Sequence, residues 1–159
     1  VQKKVSEVFI TDLIDERLAL ASRMGAAWTG NPDKQDIVGD IKSVCPGLLD
    51  TVFDCCGKQE AVDQGISLLK PGGTLVLVGI PSFENWLFRA EDIRRREITI
   101  KNVRRQNEMT KPTLDLISSG KIKPEKMITH SFGLDRVADA FELVAGYRDG
   151  VMKAMVHIG

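Results

Sequence analysis

The stretch Leu69-Lys70-Pro71-Gly72-Gly73-Thr74-Leu75-Val76-Leu77-Val78-Gly79-Ile80-Pro81 decides the fold class. Its Pro-Gly-Gly turn leads into residues 74–78, where every position is apolar or β-branched. A strand with one wet face alternates polar and apolar residues. A strand without alternation is covered on both faces, as a central parallel strand under helices is. The neighbouring sequence fits that setting. Val62, Ile66 and Leu69 repeat at helical spacing over residues 60–69, which follow a strand-like run at residues 51–55. Residues 98–103 form a further strand-like run after the central one. Towards the N-terminus, Ile37, Ile41 and Val44 repeat at i, i+4, i+7. Asn31-Pro32 would cap that helix and Pro46-Gly47 would stop it. Residues 26–29 suit a short edge strand, and Ile14, Leu18 and Ala21 form a helical stripe closed by Gly25. The first strand-like run is Val8-Phe9-Ile10, after charged residues 1–7 that suit the tail of a helix and a turn. Strands separated by helices in this way predict an α/β domain with a doubly wound parallel sheet.

One expected part is missing. No Gly-x-Gly occurs anywhere in the chain. In a dinucleotide-binding βαβ unit the glycine-rich turn follows the first strand, and an acidic residue at the end of the second strand follows about 20 residues later. Asp12 has that second-strand position, too close to Val1 for a preceding strand, turn and helix to fit. The sheet is therefore expected to be an incomplete Rossmann sheet without its first strand and Gly-rich turn. Such a chain, alone, should be marginal, self-associate or pair with a missing fragment, because strands beside the gap lose their ladder. Residues 1–105 are read as a partial nucleotide-binding domain. Residues 106–159 are read as C-terminal helices and a closing strand: one helix at 112–119 ending at Gly120, a second capped by Asp135 with Val137, Phe141 and Val144 on one stripe, and a strand at 153–158.

Composition excludes several classes. Lys+Arg and Asp+Glu are equal at 22 each, which argues against nucleic-acid and anionic-membrane partners. The 43% hydrophobic content belongs to a globular chain, and no apolar run approaches the roughly 20 residues that span a bilayer. The 3 cysteines, two of them adjacent, do not form a disulfide framework, so reduced thiols and a cytoplasmic setting are expected. Arg89, Arg94, Arg95, Arg96, Lys101, Arg104 and Arg105 make a basic stretch. Acidic neighbours dilute it and no aromatics interleave it, so it reads as a solvated helix face.

Candidate site residues cluster at predicted strand ends, where open α/β sheets bind ligands. Asp12 reads equally as a ribose acceptor, which would repel a 2′-phosphate, or as a helix N-cap. Arg17 could lie over an adenine face, although spacing alone favours a solvated helix arginine. Cys55 and Cys56, after Asp54 and before Gly57, either line a cofactor cleft or occupy a strand-to-helix turn as buried thiols. Adjacent cysteines with no second Cys/His pair at finger-like spacing do not suit zinc. Gly79, between Val78 and Ile80, would let a flat ring approach the backbone, or simply permits the turn. Arg104 sits at a strand end. His130 and His157 lack neighbours that would make a triad or metal site, and no catalytic residue or metal ligand is assigned.

Several strings together resemble the zinc-containing medium-chain alcohol and polyol dehydrogenases, especially the sorbitol and threonine dehydrogenase branch. They are Ile10-Thr11-Asp12-Leu13 with Arg17, Met24-Gly25-Ala26, Asp54-Cys55-Cys56-Gly57, residues 69–79, Glu97-Ile98-Thr99-Ile100-Lys101, Asn102-Val103-Arg104, and Ile128-Thr129-His130-Ser131-Phe132-Gly133-Leu134 with Ala140-Phe141-Glu142. The resemblance implies the C-terminal, NAD-binding part of an oxidoreductase acting on the CH–OH group of a secondary alcohol, polyol or hydroxy amino acid. It implies that Asp12 binds the adenosine ribose, Arg17 flanks the adenine, and Cys55 and Cys56 border the cofactor. It implies that Val78, Gly79 and Ile80 lie along the nicotinamide, with Val103 and Arg104 closing over it. The intact enzyme would use zinc, held by ligands outside this chain, and would be a homo-oligomer. The chain alone would be inactive without its N-terminal catalytic portion. The family's polyol branch often has tyrosine where this chain has Arg105, which puts polyol specificity in doubt. A stand-alone truncated nucleotide-binding or assembly module, and a zinc-free reductase of the same superfamily, are the rival readings.

Overall fold

A computed structural model describes residues 5–105 and 107–159. In chain order the strands and α-helices are β1 (Phe9–Thr11), α1 (Asp15–Arg23), β2 (Trp28–Gly30), α2 (Ile37–Val44), β3 (Leu49–Asp54), α3 (Gln59–Leu68), β4 (Leu69–Leu77), α4 (Ala90–Arg95), β5 (Thr99–Asn102), α5 (Thr110–Ser118), β6 (Ile128–Gly133), α6 (Val137–Ala145) and β7 (Lys153–His157). Two compact units result. One takes the described residues of Val1–Gln35 and Asn107–Gly159, the other those of Asp36–Gln106. The N-terminal β1-α1-β2 segment therefore belongs with the C-terminal tail.

The second unit is a three-stranded sheet in the order β3-β4-β5, with both pairings parallel. The expected central strand, β4, lies between the other two. Its Leu75 and Leu77 meet Val62 and Ile66 of α3, with Leu69 and Ile98 completing the buried cluster. Trp86, Phe88, Ile93, Val52 and Ile100 flank it. Removing such side chains from water stabilises the unit by about 1.5–3 kcal/mol each. Residues 70–73 lie outside the regular β3–β4 ladder, which pairs Leu49 with Leu69 and then Thr51 with Thr74. The Pro-Gly-Gly turn is thus an irregularity within β4 rather than a separate turn before it. There the Gly72 N–H donates to the Arg96 carbonyl at 2.7 Å.

The first unit holds two parallel pairs, β1 with β2 and β6 with β7. All pairings among the described residues are parallel, so the expected parallel α/β class holds. β1 is an outer strand of its sheet, as β3 is of the other. Helix α1 buries Leu18 and Leu20. Helix α6 packs on β6 and β7 through the buried Ala140.

Several local expectations are corrected. Asn31 does not cap α2. Residues 32–35 form a turn, and Asp36 is the cap, its Oδ1 accepting from Gly39 N at 3.1 Å. Pro32 simply lies in that turn. Ile37 and Ile41 are buried in α2 as expected, whereas Val44 is exposed. Leu69 is fully buried, but it opens β4 instead of closing α3. Asp135 caps no helix. It sits in a 3-10 turn, Leu134–Arg136, ahead of α6. The stripe Val137, Phe141 and Val144 faces outward, with Phe141 73% exposed, because α6 packs by a neighbouring side of the helix. Helix α5 starts before Pro112, whose missing N–H is tolerated in a first turn. Residues 5–7 form no helix; 1–4 lie outside the described residues.

Candidate functional site

The sequence-derived candidates fall at the C-terminal ends of parallel strands, in two groups that belong to separate units. In the first unit, Asp12 immediately follows β1. Its Oδ1 accepts from Ile14 N at 2.9 Å, which fixes the carboxylate in a tight turn. Ile14, not Asp12, is the N-cap residue of α1. Asp12 Oδ2 lies 3.5 Å from Arg17 Nη1, and both side chains are half-buried. An ion pair so placed contributes only about 0–1 kcal/mol to stability. Its effect is geometric: it sets the directions of both groups. Arg17 Cζ also lies 5.1 Å from the centroid of the Tyr147 ring, while its Nε is buried and makes no hydrogen bond.

Nearby, Asn31 joins β2 to the start of α1. It is buried, and its Nδ2 donates to Leu13 O at 2.9 Å and to Asp15 Oδ1 at 2.8 Å. The Lys34 ammonium donates to the other oxygen of Asp15. Lys34 and Asn31 together hold the Asp15 carboxyl below its usual range.

In the second unit, Asp54 ends β3 and organises the turn after it. The residue is only 4% exposed. Its Oδ1 accepts from Cys56 N at 3.1 Å and from Gly57 N at 3.0 Å, and the Cys56 thiol donates to it at 3.3 Å. Its backbone carbonyl accepts from both Val78 N and Gly79 N at 2.9 Å. Asp54 therefore fastens residues 55–57 to the end of β4. Gly57 and Gly79 make that closeness possible. A Cβ on Gly79 would lie 2.1 Å from Gly57 N and 2.7 Å from Asp54 Oδ2. A Cβ on Gly57, which has φ +70, would lie 2.6 Å from the Ile80 carbonyl carbon and oxygen. The space beside Gly79 Cα is filled by the protein itself.

Around this junction the side chains point to water. Ile80 is 88% exposed, with Val78 and Val103 about half as much. Cys55, Cys56 and Arg104 are exposed as well. Val103 N donates to Leu77 O at 2.9 Å, so it continues the β4–β5 ladder beyond Asn102. The structure thus brings Cys55, Cys56, Val78, Gly79, Ile80, Val103 and Arg104 to one end of a single sheet. Local desolvation and then the Asp54 carboxylate push the Cys55 thiol up, and desolvation with the Asp54 contact does the same to Cys56. Thiols shifted in that direction carry less thiolate at neutral pH.

Among the described residues, no three His, Cys, Asp or Glu side chains lie close enough to hold a metal ion. His130 sits between Thr129 Oγ1 at 2.9 Å and Asp149 Oδ2 at 3.1 Å. His157 is exposed at the end of β7. No described helix is long and apolar enough to cross a membrane. Sequence reading missed Tyr147 and the bridging role of Asn31. Nothing in local spacing signals a partner 130 residues away.

The zinc-binding dehydrogenase family model matches residues 3–119. Starvation-sensing protein RspB of Escherichia coli K12 is 33% identical over 87% of this chain and 40% of its own length. Sorbitol dehydrogenase of Bacillus subtilis is 26% identical over 94% of this chain and 43% of its own length. Among solved structures, RspB of Escherichia coli CFT073, an alcohol dehydrogenase complexed with the cofactor NADH, superposes with a TM-score of 0.87 at 29% identity. That match covers 97% of this chain and 45% of that one. The chain spans less than half the length of the relatives it matches.

Proposed function

Because the chain belongs to the zinc-binding dehydrogenase family, we propose that it is the cofactor-side portion of an NAD-dependent oxidoreductase acting on the CH–OH group of a secondary alcohol, polyol or hydroxy amino acid. The observation that carries this reading is Asp12. It is a partly exposed carboxylate at the C-terminal end of a parallel strand, oriented from one side by Ile14 N and from the other by Arg17. Such a carboxylate accepts both hydroxyls of a ribose and repels a 2′-phosphate, which selects NAD over NADP. Arg17 flanks the adenine. Val78, Ile80 and Val103 offer exposed apolar surface to a flat nicotinamide ring, with Cys55, Cys56, Gly79 and Arg104 at its border. A bound nicotinamide would supply a hydride acceptor for the carbinol carbon. The chain's own residues bind and orient; none of them is assigned a proton-transfer role.

Zinc does not fit here. Among the described residues there is no ligand set for it. In this proposal the zinc ligands, the substrate contacts and the catalytic groups belong to a longer protein of which this chain is a part.

The test is a titration of the chain with NADH and NADPH, repeated on Asp12→Ala. Losing hydrogen bonds to a charged acceptor costs about 1.5–3 kcal/mol, so NADH affinity should fall about 10- to 100-fold and the preference over NADPH should vanish. An unchanged NADH affinity in Asp12→Ala would sink the assignment.

A further inference from the structure

We infer that Tyr147 is a positioning residue of the adenosine-binding site, holding the Arg17 guanidinium in place beside Asp12 for an adenine ring. This rests on the reading that Asp12 takes the adenosine ribose. Tyr147 lies on the turn after α6, where Tyr147 N donates to Val144 O at 3.2 Å. Its φ of +47 is in the left-handed region, an unusual conformation for a bulky aromatic residue. The ring centroid of Tyr147 lies 5.1 Å from Arg17 Cζ. The ring is nevertheless 61% exposed, so its position is not explained by core burial.

Arg17 is held by two contacts. Asp12 Oδ2 is 3.5 Å from its Nη1, and its Cζ lies over the Tyr147 ring, 5.1 Å from the centroid. A free arginine side chain is costly to immobilise on binding. One already held by a ring and a carboxylate costs less to use. A guanidinium stacks on aromatic rings through its flat faces. The Nη1 end of this one meets the Asp12 carboxylate. A purine whose ribose hydroxyls meet the Asp12 carboxylate therefore stacks over an arginine that is already fixed. The ligand class is an adenine nucleotide.

The experiment titrates the full chain and three variants, Tyr147→Phe, Tyr147→Ala and Asp12→Asn, with 5′-AMP and separately with nicotinamide mononucleotide, which has no adenine. Tyr147→Ala should weaken 5′-AMP binding about 2- to 5-fold, the range of an exposed cation–π contact, and leave nicotinamide mononucleotide unchanged. Tyr147→Phe keeps the ring and should restore wild-type affinity. Tighter binding of 5′-AMP by Tyr147→Ala would overturn the inference, because Tyr147 would then be blocking the adenine face. So would equal weakening of both nucleotides, which is a general structural effect. If Asp12→Asn weakens 5′-AMP and Tyr147→Ala does not, only the role of Tyr147 falls. If neither Asp12→Asn nor Tyr147→Ala alters 5′-AMP binding, or the wild-type chain binds none, the adenosine reading itself falls.

Discussion

Replacing Gly79 by alanine adds one methyl group at the junction of β3 and β4, and the structure leaves no room for it. The new Cβ would stand 2.1 Å from Gly57 N, 2.7 Å from Gly57 Cα and 2.7 Å from Asp54 Oδ2. Two of these neighbours are backbone atoms, which cannot swing aside as a side-chain tip can. Relief requires residues 55–57 to move away from the end of β4. That movement pulls Gly57 N and Cys56 N off Asp54 Oδ1, where they now sit at 3.0 and 3.1 Å. Overpacking a tight site costs about 1–3 kcal/mol. Each lost hydrogen bond to a charged acceptor costs about 1.5–3 kcal/mol more. With one such bond lost, the total is about 2.5–6 kcal/mol. In a protein of this size that corresponds to a melting-temperature drop of roughly 5–24 °C. Urea denaturation at neutral pH, followed by far-UV circular dichroism, measures it directly. Gly47→Ala is the internal control, since a Cβ there meets nothing within 4 Å and the backbone conformation is ordinary. It should be neutral or raise stability by about 0.4–1 kcal/mol. If Gly79→Ala proves no more harmful than Gly47→Ala, the interlock of Gly57, Gly79 and Asp54 is wrong.

Asn31→Ala should cost about 1–3 kcal/mol in the same denaturation assay, because the Leu13 carbonyl and the Asp15 carboxylate both lose a donor held at under 3 Å; a loss below about 0.5 kcal/mol contradicts the bridging role. Cys55 and Cys56 have thiols raised above the ordinary 9.0 in the folded chain. The unfolded chain therefore ionises them first, so their contribution to stability is present below the unfolded pKa and is lost as pH rises through the raised folded values. Urea midpoints between about pH 8.5 and 10.5 should fall less steeply in a Cys55→Ser, Cys56→Ser double variant than in wild type; identical slopes would show that the shifts do not act on folding.

Much of the fold was legible in the sequence because its signals are local. Residues 74–78 lack a polar alternation, which predicts a central parallel strand covered on both faces; β4 is central, but only the Leu75 and Leu77 face is buried, while Val76 is partly exposed and Val78 is 40% exposed. Val62 and Ile66 recur at helical spacing, and they do form the face that meets β4. The placement of the candidates was legible for a related reason: locating the strands put Asp12, Cys55, Gly79 and Val103 at or just beyond strand ends, where open α/β sheets bind ligands. Elsewhere the reading went astray. Asn31-Pro32 suits a cap, but the helix starts later, at Ile37, which is buried and follows the capping Asp36. On α6, an apolar stripe was visible but its direction was not. Spacing says which residues share a face, and the sheet decides which face it accepts.

The sequence by itself determined the class of the domain, the order of its main elements and the family it resembles, since those depend on periodicity, turn residues and short strings. Only the tertiary structure decided which side chains meet. Arg17 and Tyr147 are far apart along the chain, yet a positively charged plane and an aromatic ring are brought to 5.1 Å by the packing of α1 and the turn after α6 into one unit. The embrace of Gly57, Gly79 and Asp54 is of the same kind. Hydrogen bonds and excluded volume act through space, and a linear pattern records them only when the contact is close in sequence.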